Sequence, residues 1–128
     1  MFQVRSIGVA IALATVSTGA MAEGTPLAGS ALRKTVVGKT YNLHTAVGVI
    51  PVSFRGDGSM SGTAKSLPAY IGPDRDSGSW WISGNQLCQR WGSWLQGRQH
   101  CFTVKISGRT LHWRSSDGQS GIATLAQR

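Results

Sequence analysis

The sequence predicts a mainly β fold: a small antiparallel up-and-down barrel or sandwich of about eight strands, lipocalin-like, with a short N-terminal helix. Three observations predict it. Apolar residues alternate with polar ones at period two in short runs, as in Ile50, Val52, Phe54 and again in Phe102, Val104, Ile106. Turn signals punctuate these runs at short spacing: Asp57-Gly58, Ser83-Gly84-Asn85, Ser107-Gly108 and Asp117-Gly118. Glycine becomes abundant after Gly38. A sheet of this many hairpins closes on itself or folds into a sandwich, because open edges invite pairing with other chains.

The chain opens with a different grammar. Arg5 supplies a positive charge, Ser6 to Ala20 carries no charge and is rich in Ile, Val, Ala and Leu, and Ala20-Met21-Ala22 gives small residues at the expected cut. Residues 1–22 therefore read as a cleavable secretory signal peptide, and residues 23–128 as a single exported β domain in the periplasm or outside the cell. The apolar run is too short and too diluted, by Ser17, Thr18 and Gly19, for a membrane span of roughly 20 residues. Position 23 is Glu rather than Cys, so nothing supports a lipoprotein anchor, and no second long apolar segment occurs.

Glu23 to Gly29 reads as a flexible lead-in. Ser30 is placed to cap a short helix, Ala31 to Val37, with Leu32 and Val36-Val37 facing inward, and Gly38 sits where a helix end favours a left-handed residue. Strands are predicted over Gly38–Thr45, Val49–Arg55, Ser59–Lys65, Ser79–Ser83, Gln86–Trp91, His100–Ser107, Thr110–Arg114 and Ser120–Ala126. Pro51 places the second at an edge or a bulge. Ser66 to Ser77, with Pro68, Gly72 and Pro73, is the longest loop. A weak internal similarity links Arg55-Gly56-Asp57-Gly58 and Ser61-Gly62-Thr63-Ala64 to Arg114, Asp117-Gly118 and Ser120-Gly121-Ile122-Ala123. Twofold duplication and convergent hairpin chemistry both account for it.

The chain holds 13 Lys and Arg against 5 Asp and Glu, a formal charge of +8, and only Arg5 of these lies in the leader. Such a field attracts anionic partners, so an anionic envelope component, a small ligand or a protein is the expected partner class. The basic residues are scattered, which argues against a nucleic-acid stripe, as export does too. The two cysteines, Cys88 and Cys101, form an even pair in an oxidising compartment and are read as a disulfide, rather than as a redox pair or a zinc site.

No catalytic constellation stands out. The histidines are His44, His100 and His112, the carboxylates few, and Asp57 and Asp117 are better explained as turn formers. No nucleophile elbow, metal-ligand cluster or phosphate-cradling loop is present, so no catalytic residue, metal or cofactor is assigned. The tryptophans are more suggestive. Trp80 and Trp81, adjacent on a strand, must point to opposite faces. Trp91 and Trp94 fall between the cysteines, beside Arg90 and Arg98. Trp81, Arg90, Trp91, Trp94 and Arg98 thus form the candidate binding surface, aromatic rings beside guanidinium groups. The competing reading is that these rings plug the ends of the barrel.

Leu27-Ala28-Gly29-Ser30-Ala31-Leu32 through Gly38-Lys39-Thr40-Tyr41, then Asp57-Gly58, Gly78-Ser79-Trp80, Leu87-Cys88-Gln89-Arg90-Trp91 and Cys101-Phe102 resemble a family of small secreted bacterial proteins. Its pattern is a short helix ending in G-K-T, a D-G turn, G-x-W, L-C-x-x-W and a later C-[FY]. That family has no assigned activity. The resemblance implies an exported, disulfide-bearing β domain and transfers no active site. The expected function is a non-enzymatic periplasmic or secreted binding or envelope-associated protein. The alternatives are an inhibitor of a secreted enzyme acting through the Ser66–Ser77 loop, and a small hydrolase.

Overall fold

In the computed structural model, residues 25–46, 48–64 and 73–127 are described. The predicted signal peptide at 1–22 and most of the predicted Ser66–Ser77 loop lie outside the described residues. One helix, α1 (Gly29–Val36), precedes eight strands: β1 (Thr40–Thr45), β2 (Gly48–Phe54), β3 (Ser59–Thr63), β4 (Arg75–Ser83), β5 (Gln86–Trp91), β6 (Gln99–Ser107), β7 (Thr110–Ser115) and β8 (Ser120–Leu125). Each strand pairs antiparallel with the next, and β8 returns to β1, with Tyr41 opposite Leu125 and Leu43 opposite Ala123. The sheet is therefore a closed up-and-down barrel, which leaves no free edge. Strand 4 begins at Arg75, four residues before the predicted Ser79. Residues Arg75–Ser77 of the predicted loop thus belong to the sheet, paired with Thr63, Gly62 and Ser61 of β3.

Alternation decides what enters the barrel. Tyr41, Val52, Phe54, Met60, Trp80, Leu87, Trp91, Val104, Leu111 and Ala123 are buried and form one apolar cluster with Leu32 and Val36 of the helix. Leu32 and Val36, one helical turn apart, are fully buried, so α1 closes the barrel end that holds the β2–β3, β4–β5 and β6–β7 turns.

The helix starts differently from the expectation. Ser30 does not cap it: the helix begins at Gly29, its N-cap Ala28 makes no side-chain bond, and Ser30 is exposed in the first turn. One of the helix's free N–H groups is instead satisfied by the barrel, Gly29 N donating to the Gly84 carbonyl at 2.9 Å. The C-terminal end follows the expectation. Gly38 is left-handed at φ +75°, and its N–H donates to the Phe54 carbonyl at 2.7 Å. Arg33 fastens the helix to the sheet, donating to the Gly56 carbonyl at 3.0 Å while its guanidinium lies 5.0 Å above the Trp80 ring. Tyr41 Oη donates to the Thr35 carbonyl at 2.9 Å, and its burial pushes the phenol pKa up against the opposing effect of Arg109.

Pro51 lies where the β2–β3 ladder stops, one residue beyond the last pair, Val52 with Gly62. The barrel has no edge strand, and Pro51 is in register with Asn42 of β1, but on the β3 side no ladder pair calls for its missing N–H.

The internal similarity resolves into packing. Gly62 and Gly121 both sit beneath tryptophan rings. A Cβ on Gly62 would lie 2.8 Å from the Trp94 ring and 3.0 Å from Trp91, and one on Gly121 would lie 2.7 Å from Trp113. Large rings thus lie over positions that lack a side chain, Trp113 over its register partner Gly121 on the adjacent strand, as a close-packed small barrel requires. The two segments form hairpins at opposite ends of the barrel, β2–β3 and β7–β8. Doubling of a four-strand unit would match β2–β3 with β6–β7, so shared hairpin and packing chemistry accounts for the likeness.

Candidate functional site

The end opposite α1 is built around the β5–β6 connection, Gly92–Arg98, which the cysteines bracket. Cys88 and Cys101 stand directly opposite each other in the β5–β6 register with Cα atoms 4.0 Å apart, and a disulfide joins them. Closing a loop of this length stabilises by about 3 kcal/mol in the chain-entropy account. The bond lies on the outer wall, where Trp81 is in register with Cys88.

Within the loop, Leu95 (φ 55°, ψ 31°) and Gln96 (φ 59°, ψ 25°) adopt left-handed backbone conformations, the only non-glycine residues with positive φ among the described residues. Each such residue costs roughly 1–2 kcal/mol, so consecutive ones persist only where the surroundings impose them. The bracing is visible. Asp76, at the start of β4, accepts from Ser93 N at 2.7 Å and from Trp94 N at 2.8 Å through one carboxylate oxygen. Gly92 N donates to the Ser77 carbonyl at 2.9 Å, and Arg98 N closes the turn onto the Leu95 carbonyl at 3.1 Å. Trp94 turns inward, its Nε1 donating to the Pro73 carbonyl at 2.9 Å and its ring 4.8 Å from that of Trp91. Burial pushes the Asp76 pKa up, but the N–H groups of Trp94, Ser93, Ser77 and Gly92 together outweigh it and hold the carboxyl below its ordinary value.

The predicted binding surface is accordingly divided. Trp91 and Trp94 are 5% and 7% exposed and belong to the core. They are corrected from contact residues to plugs, because strand parity carries Trp91 inward and the glycine at position 62 leaves room for both rings. Trp81 is half-buried on the outer wall, and Arg90 is exposed between Ser79 and Gln99. Arg98 is exposed at the end of the loop. Trp80, by contrast, enters the core, edge-on to Phe54, with its Nε1 donating to the Arg55 carbonyl at 2.9 Å.

The structure adds two residues that the sequence reading did not select. Leu95 is 54% exposed, an apolar side chain held outward on a rigid loop. His100, the second residue of β6, is half-buried, and its Nε2 is a buried atom with no hydrogen-bond partner among the described residues. Ser93, Leu95, Gln96, Arg98 and His100 line a shallow cleft of about 420 Å³. The only signal for it in the sequence is its place between the cysteines. A larger cleft, about 630 Å³, lies on the wall of β2–β4 with Ser53, Ser61, Thr63, Arg75 and Ser77 in its lining.

Among the described residues no group of three or more His, Cys, Asp or Glu is arranged to hold a metal ion, and no helix is long and apolar enough to cross a membrane. No protein-family model, curated protein or solved structure matches the chain.

Proposed function

We propose that this chain is a non-enzymatic binding protein of the periplasm or extracellular space, and that loop 92–98 is its recognition element. The observation that supports it most is the braced strain of Leu95 and Gln96. A fold that needed only a connection between β5 and β6 could use glycine at both positions. This loop instead keeps two side chains in an unfavourable conformation and fixes them with a carboxylate, a buried indole and a disulfide. Ordering a binding loop in advance lowers the entropy lost on association. A leader sequence at 1–22, a disulfide and net positive charge fit an oxidising compartment and an anionic envelope partner.

The test is capture from solubilised envelope fractions by the immobilised protein. Leu95→Asp, at an exposed position, is expected to abolish capture while leaving the unfolding midpoint within about 0.5 kcal/mol of wild type. Undiminished capture by the variant removes the loop from the binding surface. Projection of Leu95 from a rigid loop also favours a second reading, an inhibitor of a secreted enzyme. Progress curves of secreted hydrolases with and without the protein separate the two.

A further inference from the structure

We infer that the cleft at loop 92–98 is a carboxylate site that takes the free C-terminus of a peptide with an apolar last residue. The inference rests on the loop being the recognition element and names what it recognises. The cleft brings together a guanidinium, an imidazole, a hydroxyl and an amide, from Arg98, His100, Ser93 and Gln96, with no carboxylate in its described lining. Arg98 makes no side-chain hydrogen bond or ion pair among the described residues, although the loop that carries it is fixed. Two of the carboxylates at this end, those of Asp76 and Asp117, are already engaged. Asp76 is occupied by Ser93 N and Trp94 N, and Asp117 by the Ser115 hydroxyl and Gln119 N.

The ligand's chemistry follows from the donor set. A guanidinium offers a planar fork that matches a carboxylate with two parallel hydrogen bonds. Phosphate dianions are more often met by several cations or a helix N-terminus, and this lining has one permanent cation. Leu95 supplies an exposed apolar group in the same lining as Arg98, suited to the side chain on the Cα next to the bound carboxylate. A volume of about 420 Å³ sits at the small end of ligand sites and accommodates a terminal residue or two. Capture of a C-terminal carboxylate is a known mode of peptide recognition.

Isothermal titration of the full exported chain with Ala-Ala-Ala-Ala-Ala-Leu, as the free acid and as the C-terminal amide, tests this directly. The free acid is expected to bind at least tenfold more tightly than the amide. Arg98→Gln should reduce the free acid to the amide's affinity without moving the thermal midpoint. Equal affinity for acid and amide overturns the inference, as does inorganic phosphate binding more tightly than the peptide. If neither peptide binds while Leu95→Asp still abolishes envelope capture, the carboxylate assignment falls and the loop's role in recognition stands. If Leu95→Asp leaves capture intact and the acid is still preferred, the loop holds a peptide carboxylate and its part in envelope capture falls.

Discussion

The two ends of this barrel are closed by opposite means. At one end an ordinary amphipathic helix lays Leu32 and Val36 across the opening, and positive-φ backbone falls on glycines, Gly38 among them. At the other, Trp91 and Trp94 fill the opening, and left-handed backbone falls on Leu95 and Gln96. Both plugs remove apolar surface from water, so burial alone does not explain the difference. The helix end satisfies its backbone groups without strain: Gly29 N meets the Gly84 carbonyl, and Gly38 N meets that of Phe54. The loop end keeps strain, an exposed leucine and, among the described residues, an unengaged guanidinium and an unpaired imidazole nitrogen. This contrast is what the proposed recognition role of the loop rests on.

The largest test compares the plugs. Leu32→Ala should lower stability by about 2–5 kcal/mol and Trp94→Ala by about 3–5 kcal/mol, both read from urea unfolding. Limited proteolysis then separates them. Only Trp94→Ala should open the chain at residues 92–98 in native buffer. Cleavage there in Leu32→Ala would mean that the ends melt as one unit and that the contrast between them is only geometric.

Acid sharpens the comparison. The Asp76 carboxyl is held below its ordinary value of 3.8, so the folded chain binds this proton less readily than the unfolded chain. Its stabilisation is fully present above that value and is lost as pH falls through the lower, folded-state pKa. Asp57 and Asp117 shift the same way, chiefly through the Ser59 and Ser115 hydroxyls, and act on exposed turns at opposite ends. Asp76→Asn should lower stability at neutral pH and flatten its decline below pH 4, with proteolysis at loop 92–98 rising in parallel. An unchanged acid profile would remove Asp76 as the brace of the loop.

The smallest effects should differ in sign between the ends. Gly38→Ala forces a side chain into a left-handed position and should cost about 1 kcal/mol. Gln96→Gly relieves the same conformation and should gain up to about 1 kcal/mol, offset in part by the greater freedom of glycine in the unfolded chain. Denaturation midpoints of the pair decide the point. A loss of stability in both would mean that the Gln96 side chain, rather than its backbone, matters to the fold.

Most of the barrel was legible because its signals are local. Asp57-Gly58 and Asp117-Gly118 state a hairpin within two residues, and Phe102, Val104 and Ile106 declare a face within five. Gly38 was legible for the same reason. Ser30 misled because the acceptor that replaces a cap, the Gly84 carbonyl, lies far along the chain. The direction of Trp91 depends on strand parity, and that of Trp94 on a loop path that no periodicity describes. The pairing of Gly62 and Gly121 with tryptophan rings was present in the repeated Ser-Gly-x-Ala segments, yet its meaning needed the register. Leu95 and Gln96 carry no mark of a left-handed backbone, since neither residue type favours it. The site was therefore located only coarsely, by the cysteines that bracket it.

The tryptophan pair has one more consequence. Two indoles 4.8 Å apart and inclined at 51° are close enough for their excited states to mix. The native protein should therefore show a paired positive and negative band in its circular dichroism near the indole absorption, absent from either single tryptophan variant. Because Trp94 belongs to the loop and Trp91 to the wall, that signal exists only while the loop is seated. The molecule thus carries a label-free spectroscopic gauge of how loop 92–98 is seated.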